Sequence, residues 1–264
     1  MGLCIDTVLG DVHNVATAAV SLTAATAATG DSFTVRDFAP TYYAKLESLF
    51  LQGSGARQAR LISPRFHDNV TGITIQSAES PTDFPFPQEV GQRLYSSDQL
   101  TVSVDAAASS DTLVALLNYY QNIDGISAHL VSWADIVSKY TNLKIAEVAC
   151  TSNATIGQWT DTVITTTENQ WKADHAYAVL GFLSNVALCV MALKGPCTGN
   201  LRVGCPGATS TLDISRYFVE MSNMHNAPHI PVFKSNDRAN TYVSVAANTA
   251  SVAANVYMVC VDLG

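Results

Sequence analysis

Apolar and polar residues alternate along most of this chain, and the alternation predicts a protein built mainly of β-strands. Such alternation turns one face of a strand toward a core and the other face outward. Residues 7–24 predict one or two strands, and residues 176–193 predict a strand pair with a turn at Ser184 and Asn185. Shorter strands are predicted at residues 32–36, 60–66, 70–76, 100–105, 143–150, 160–167, 201–203, 229–233, 241–246 and 256–262.

Helical spacing of apolar residues interrupts this pattern in four places. Gly53 and Gly55 end the first predicted helix, and Ser110 and Asp111 cap the second. Residues 80–88 contain three prolines, so we expect a surface loop there. The four predicted helices cover residues 42–50, 113–120, 130–140 and 212–221.

The order of these predicted elements is written twice along the chain. Similar blocks pair residues 8–16 with 179–187, 64–69 with 231–236, and 100–105 with 256–262. Because the blocks keep their order, we interpret them as an internal duplication. The duplication predicts a first β module over residues 1–106 and a second over residues 179–264. Residues 107–178 form an intervening helix and strand segment that we expect to pack with the second module.

The composition restricts the possible partners. Of the 264 residues, 48% are hydrophobic and only 14% are charged, and the formal net charge is -8. Phosphate recognition needs a basic patch, and the sequence contains no run of Lys or Arg. We therefore expect no direct contact with nucleic acid. The uncharged stretch at residues 176–193 is long enough to raise the question of a membrane span, but its central turn favours two strands.

The six cysteines form no C-x-x-C pair and lack the spacing of a zinc site. We expect reduced, buried thiols in an intracellularly made protein, with no secretory signal peptide. Cys197 and Cys205 flank a short segment, and they could pair only in an oxidising compartment.

Asp11 and His13 are the first candidates for metal chemistry. Together with Gly10 they resemble the first metal block of calcineurin-like phosphoesterases, but the other blocks of that family are missing. The second copy carries Phe182 and Ser184 at the corresponding positions, which favours variable turn residues. No phosphate-binding loop or nucleophile elbow occurs either.

The remaining ionisable candidates form no catalytic set. His225 and His229 could meet Glu220, although Pro228 would break a helix between the two histidines. Asp105 and Asp262 each end a predicted terminal strand, and repeated carboxylates could bind a cation such as calcium. Capping a turn is the commoner role of such residues. We predict no catalytic residue, no cofactor and no metal site.

Trp159 and Trp171 bracket the Thr-rich strand at residues 160–167. Large aromatic residues usually fill a core or an interface, which is the interpretation we favour. A surface glycan-binding β-sandwich remains the first alternative. A hydrolase that uses Asp11 and His13, or the thiol of Cys150, is a less favoured alternative.

The duplicated order of strand pair, strand, helix, strand and terminal strands resembles the double jelly-roll major capsid proteins of tailless icosahedral viruses. The three pairs of repeated blocks carry this resemblance. It implies two jelly-roll-like β-sandwich modules, each with a short helix, and a helical insertion between them. It also implies homotrimers that form pseudo-hexameric capsomers.

The expected function is that of a structural virion protein, a major capsid protein that self-assembles into a closed icosahedral shell. The expected partners are further copies of the chain and other virion proteins, and a membrane could line the shell. We expect synthesis in the host cytoplasm and final localisation in the virion. Interfaces would carry the function, including the loop at residues 80–88.

Overall fold

The structure of the chain is a computed structural model. The described residues are 2–11, 32–34, 43–52, 58–62, 73–76, 93–94, 99–104, 112–121, 130–139, 142–164, 171–207, 214–226, 228–247 and 249–264.

Among the described residues before residue 130, eight strands form two antiparallel sheets. One sheet has the order β1-β8-β3-β6 and the other the order β2-β7-β4-β5. The strands are β1 (Gly2–Asp11), β2 (Ser32–Thr34), β3 (Tyr43–Gln52), β4 (Gln58–Ile62), β5 (Ile73–Gln76), β6 (Arg93–Leu94), β7 (Gln99–Val104) and β8 (Thr112–Gln121).

From residue 130 onward, the described part of the chain contains nine further strands in two antiparallel sheets. The five-stranded sheet has the order β10-β17-β12-β15-β9, and the C-terminal four-stranded sheet has the order β11-β16-β13-β14. The strands are β9 (Leu130–Val131), β10 (Asn142–Thr151), β11 (Thr160–Val163), β12 (Ala176–Ser184), β13 (Val190–Lys194), β14 (Val203–Pro206), β15 (Ile230–Lys234), β16 (Tyr242–Ala246) and β17 (Ala253–Asp262).

The core of this part lies between its two sheets. Alternation along β10 turns Ala146 and Val148 inward, opposite Met258 and Val256 of β17. From the other sheet, Val243 joins the same buried cluster. The part of the chain after residue 130 is therefore mainly β, as the alternation predicted.

Two short α-helices accompany these strands. Helix α1 (Trp133–Val137) begins with a capping box, in which the Ser132 hydroxyl accepts from the amide of Asp135 and the Asp135 carboxylate accepts from the amide of Ser132. Helix α2 (Tyr217–His225) packs against β12 and β15. It ends at Asn226, which adopts the left-handed conformation with φ 47°. No helix among the described residues is long and apolar enough to span a membrane.

The helices predicted at residues 42–50 and 113–120 were wrong, because residues 43–50 lie in strand β3 and residues 113–120 lie in strand β8. A β-bulge shifts the register of β3 between Leu46 and Ser48, and the extra residue breaks the period-2 pattern of that strand. Strand β8 lies between β1 and β3. Its nearly continuous apolar run has no period that distinguishes a strand from a helix.

The other two predicted helices exist in shorter form. The one expected at residues 130–140 is confined to α1, and the one expected at residues 212–221 begins only at Tyr217. The strand pair at residues 176–193 is confirmed as β12 and β13. These strands belong to different sheets, however, so the turn after Ser184 carries the chain from one sheet to the other.

Candidate functional site

The carboxylate of Asp262, at the end of β17, is the centre of one polar cluster. Its Oδ2 atom lies 3.0 Å from the Lys172 ammonium, and its Oδ1 atom lies 2.7 Å from Nδ1 of His175. The Gly264 amide also donates to Oδ1, at 3.1 Å. Burial by itself would raise the pKa of Asp262, but the hydrogen bonds from His175 and Lys172 lower the pKa to about 2.

Aromatic rings pack beside this cluster and hold it in place. Trp171 makes edge-to-face contacts with Tyr177 and Phe233, at centroid distances of 4.8 and 5.0 Å. The indole Nε1 of Trp171 donates to the carbonyl of Ile164 at 3.0 Å. The ammonium of Lys144 lies 4.9 Å from the Trp171 ring centroid, which is cation–π geometry. Trp171 is therefore a buried side chain that packs between strands, and neither face of its ring is open to bind a sugar.

A second polar cluster surrounds Asp161 on strand β11. Its Oδ2 atom lies 2.5 Å from the Lys194 ammonium, and its Oδ1 atom accepts from the Ser244 hydroxyl at 2.6 Å. Arg202 donates to both carboxylate oxygens, at 3.1 and 3.2 Å, and its guanidinium stacks 5.0 Å from the Trp159 ring centroid. Burial opposes ionisation of Asp161, but the bonds from Lys194 and Ser244 and the charge of Arg202 hold its pKa below the usual value.

The Asp161 cluster belongs to a sheet face that points away from the core. Val243 and Leu193 point into the core, so their neighbours Ser244 and Ala192 point the other way. Ser244 and Ala192 are nevertheless fully buried. In the register of the sheet, Asp161, Ser244, Ala192 and Gly204 form one row across the four strands. The second face of the C-terminal four-stranded sheet is therefore buried at Ser244, Ala192 and Gly204, and these residues are small.

These two clusters have the chemistry of structural ion pairs. A general acid at neutral pH needs a raised pKa, and both carboxylates instead have lowered pKa values. Lysine, arginine and histidine groups already occupy their oxygen atoms, so Asp262 offers no vacant ligand set for the calcium considered above. No group of three or more potential metal-ligating side chains occurs among the residues that the structure describes.

The cysteine thiols of the C-terminal half are buried and form no disulfide bonds. Cys197 and Cys205 are therefore not paired with each other. Burial raises the pKa of the Cys197 thiol to about 12 and also raises the pKa of Cys205 and Cys260. The pKa of Cys150 is raised for the same reason. A thiolate nucleophile is disfavoured at each of these positions.

Of the histidine and glutamate candidates, the structure describes the surroundings of Glu220 and His229, while the side chain of His225 lies outside the described part. Glu220 is exposed and forms an ion pair with Arg216, one turn earlier on α2, at 3.5 Å. His229 is fully buried just before β15. Asp11 is the last residue of β1. His13, Asp105 and the loop at residues 80–88 lie outside the described residues.

Apart from one local hint, the sequence pattern gave no indication of the Asp161 cluster. Asp161, Lys194, Arg202 and Ser244 come from four separate segments, and only the pairing of β11, β16 and β13 brings them together. An isolated Asp in a Thr-rich strand is the one local hint, because a charge inside a β-strand usually needs a partner.

No known protein-family model matches the chain, and comparison with curated proteins finds no match either.

Proposed function

We propose that this chain is a structural virion protein, a major capsid protein that self-assembles into a closed icosahedral shell. The single observation that supports this proposal most is the strand order of the four sheets, which repeats between the two halves of the chain. Adding nine to each strand number of β1-β8-β3-β6 reproduces β10-β17-β12-β15. The same step converts β2-β7-β4-β5 into β11-β16-β13-β14.

This order is the one we expect for a jelly roll duplicated within one chain. A jelly roll has eight antiparallel strands in two four-stranded sheets, and each half supplies such a set, with β9 as an addition to the second. We therefore infer two jelly-roll modules, spanning residues 2–121 and 130–262. This inference divides residues 107–178, which the sequence predicted as an intervening segment, between the two modules, because β8 belongs to the first set of strands and β10 and β11 belong to the second.

The strand order also changes the alignment of the repeat. The sequence blocks paired residues 8–16 with 179–187 and so matched β1 with β12. In the order of the sheets, β1 corresponds to β10 and β12 corresponds to β3. The two Val-Leu-Gly sequences, at residues 8–10 and 179–181, therefore fall on strands that are not equivalent in this alignment. Short apolar blocks recur by chance in a chain with this much Val, Leu and Ala.

Jelly rolls serve several functions, so fold alone does not decide between them. The polar clusters favour a structural role, because their carboxylates are ionised and occupied by neighbouring cations. The absence of Lys or Arg runs favours a shell that other virion proteins or a membrane separate from the genome. Two like modules in one chain would let three copies form a pseudo-hexameric capsomer.

Electron microscopy of the purified protein, with light scattering after size exclusion, tests the proposal. We expect trimers and, at higher concentration or ionic strength, closed particles of uniform diameter. A protein that stays monomeric and forms no particle under any of these conditions would contradict the proposed function.

The alternatives predict other outcomes. Trp159 is half-buried and stacks on Arg202, so it is the tryptophan that a glycan-binding protein could use. Selective binding on a glycan array, lost in Trp159→Ala and kept in Trp171→Phe, would favour that function over a shell. A hydrolase would need metal-dependent turnover that disappears in Asp11→Ala.

A further inference from the structure

We propose that β10 of one copy of this chain packs against β5 of another copy, through the same kind of contact that joins β1 to β14 within each chain. This inference rests on the proposed function and deepens it by naming the contact between copies. Strand β1 is the edge strand of one sheet and β14 is the edge strand of another. The two strands nevertheless lie against each other, with Cα atoms of one within 8 Å of Cα atoms of the other.

Each strand of this contact has a counterpart in the other half of the chain. The strand order of the sheets matches β1 with β10 and β14 with β5. Strands β1 and β10 both have ten residues, and β14 and β5 both have four. A register shift interrupts the pairing of β3 with β8, and another interrupts the equivalent pairing of β12 with β17. The two halves therefore share details of strand pairing as well as strand order.

The sequences of β1 and β10 also agree when the two strands are aligned end to end. The matching residues are Leu3, Ile5 and Val8 of β1 with Leu143, Ile145 and Val148 of β10. Strand β1 has a neighbour within the chain, namely β14. On β10, by contrast, Leu143 and Ile145 are each 53% exposed. Adjacent large apolar side chains on one outward face form a patch of the kind that a protein partner covers.

The two surfaces that the single chain leaves over identify the partner. Within one chain, the first half uses its β1 side and the second half uses its β14 side. The remaining counterparts are β10 in the second half and β5, an edge strand, in the first half. A second copy brings its β5 to β10, and the contact can then repeat from chain to chain. Contacts between unlike surfaces can close into rings, and a ring of three chains would contain six like modules.

The proposed contact is packing between strands of different sheets, without the addition of a strand to a sheet. Lys144 lies on the inward side of β10, over the Trp171 ring. An inward-pointing charge protects an edge strand from strand addition. Packing through Leu143 and Ile145 needs no free backbone groups. The contact of β1 with β14 has the same character, because these strands belong to separate sheets.

Two blocking variants of the full chain test the contact. Leu143→Lys combined with Ile145→Lys places charges on β10, and Thr74→Lys combined with Gln76→Lys places charges at the polar positions of β5. Each blocking variant should raise the dissociation constant for self-association about tenfold or more in sedimentation velocity. Met224→Lys, at an exposed position of α2, is the matched control and should associate as the unmodified chain does. Circular dichroism and unfolding curves verify that the variants fold.

A mixture of the two blocked chains decides whether unlike surfaces meet. Each blocked chain keeps one intact surface, and the two intact surfaces are complementary. We therefore expect one-to-one dimers in the mixture and no larger species. Pairing of β10 with β10 would instead dimerise the chain blocked at β5 by itself. A mixture that stays monomeric at every concentration would overturn the proposal.

Cross-linking supplies a measurement that does not depend on blocking charges. Leu143→Cys in one tagged chain and Thr74→Cys in a chain with a different tag should be joined by a short bis-maleimide when the two chains are mixed. Met224→Cys in place of Leu143→Cys is the control and should give little product. Equal yields from the two mixtures would contradict the contact.

The outcomes separate this inference from the proposed function. Closed particles of the unmodified chain, together with a blocked mixture that stays monomeric, would overturn the contact of β10 with β5 and leave the capsid proposal standing. Dimers in the blocked mixture, without any closed particle of the unmodified chain, would support the contact and contradict the capsid proposal.

Discussion

The Nδ1 atom of His175 lies 2.7 Å from the Oδ1 atom of Asp262, and this contact ties the turn before β12 to the end of β17. Backbone bonds reinforce the connection, because the Leu263 amide donates to the Ala176 carbonyl at 2.9 Å. The amide of Ser235, after β15, donates to the His175 carbonyl, also at 2.9 Å. The ends of three adjacent strands thus meet at one side chain pair.

Substitution of Asp262 should loosen this junction. We expect Asp262→Asn to lower the free energy of unfolding by about 1–2 kcal/mol, because it removes a charge-assisted bond to His175. The contribution of Lys172 is small, since that side chain is 60% exposed and water screens it. Urea denaturation followed by circular dichroism measures the change. Glu147→Gln, at an exposed position, is the control and should change the free energy of unfolding little.

The same carboxylate makes stability depend on acid pH. The pKa of Asp262 is about 2 in the folded chain, below the value of about 3.9 that an Asp has when unfolded. Its stabilising effect is therefore present above about pH 4 and is lost as the pH falls toward about 2. Asp161, whose pKa is also lowered, acts in the same direction. The stability difference between the unmodified chain and Asp262→Asn should shrink between pH 5 and pH 2.5. An unchanged difference would contradict the ion pair.

Trp171 and Trp159 should respond differently to truncation. Trp171 lies within the aromatic cluster, so we expect Trp171→Ala to cost about 3–5 kcal/mol of unfolding free energy. Trp171→Phe keeps most of the packing and loses the bond to the Ile164 carbonyl, at a cost of about 1 kcal/mol for that bond. Trp159→Ala should cost less than Trp171→Ala, because Trp159 is half-buried. Thermal and urea unfolding of the three variants would rank them.

A larger side chain at Ala192 tests whether the second face of the C-terminal four-stranded sheet is covered. Ala192 is fully buried on that face, so Ala192→Leu should destabilise the protein by about 1–3 kcal/mol through overpacking. Ala149→Leu is the matched control, because Ala149 is exposed on β10 and should change stability by less than about 0.5 kcal/mol. Equal stability of the two variants would show that solvent reaches Ala192.

The buried thiols should resist alkylation in the native protein. Cys197, Cys205 and Cys260 are almost completely buried, and their raised pKa values leave little thiolate at neutral pH. We expect iodoacetamide to modify these three only after unfolding, with peptide mass spectrometry as the measurement. Rapid labelling of Cys205 in the native protein would contradict the burial of its thiol.

Local pattern determined much of the secondary structure of this chain. Alternation placed a strand at residues 143–150, where β10 occurs, because one face of that strand is buried and the other is largely exposed. The strand predicted at residues 256–262 also occurs, as part of β17, although its last five residues are all buried. The sequence did not predict strand β3. A bulge and a paired strand on each side change the spacing of apolar residues along β3, and no distinctive residue marks the bulge.

Only the tertiary structure decided which strands are neighbours, and with them the polar clusters and the exposed edge. Asp161 and Ser244 lie 83 residues apart in the sequence, yet the register of β11 on β16 places them side by side. The apolar residues of β10 look like ordinary strand residues until the sheet order shows that this strand is outermost. Strand pairing depends on contacts across the whole chain, whereas alternation reports only which face of one strand is buried.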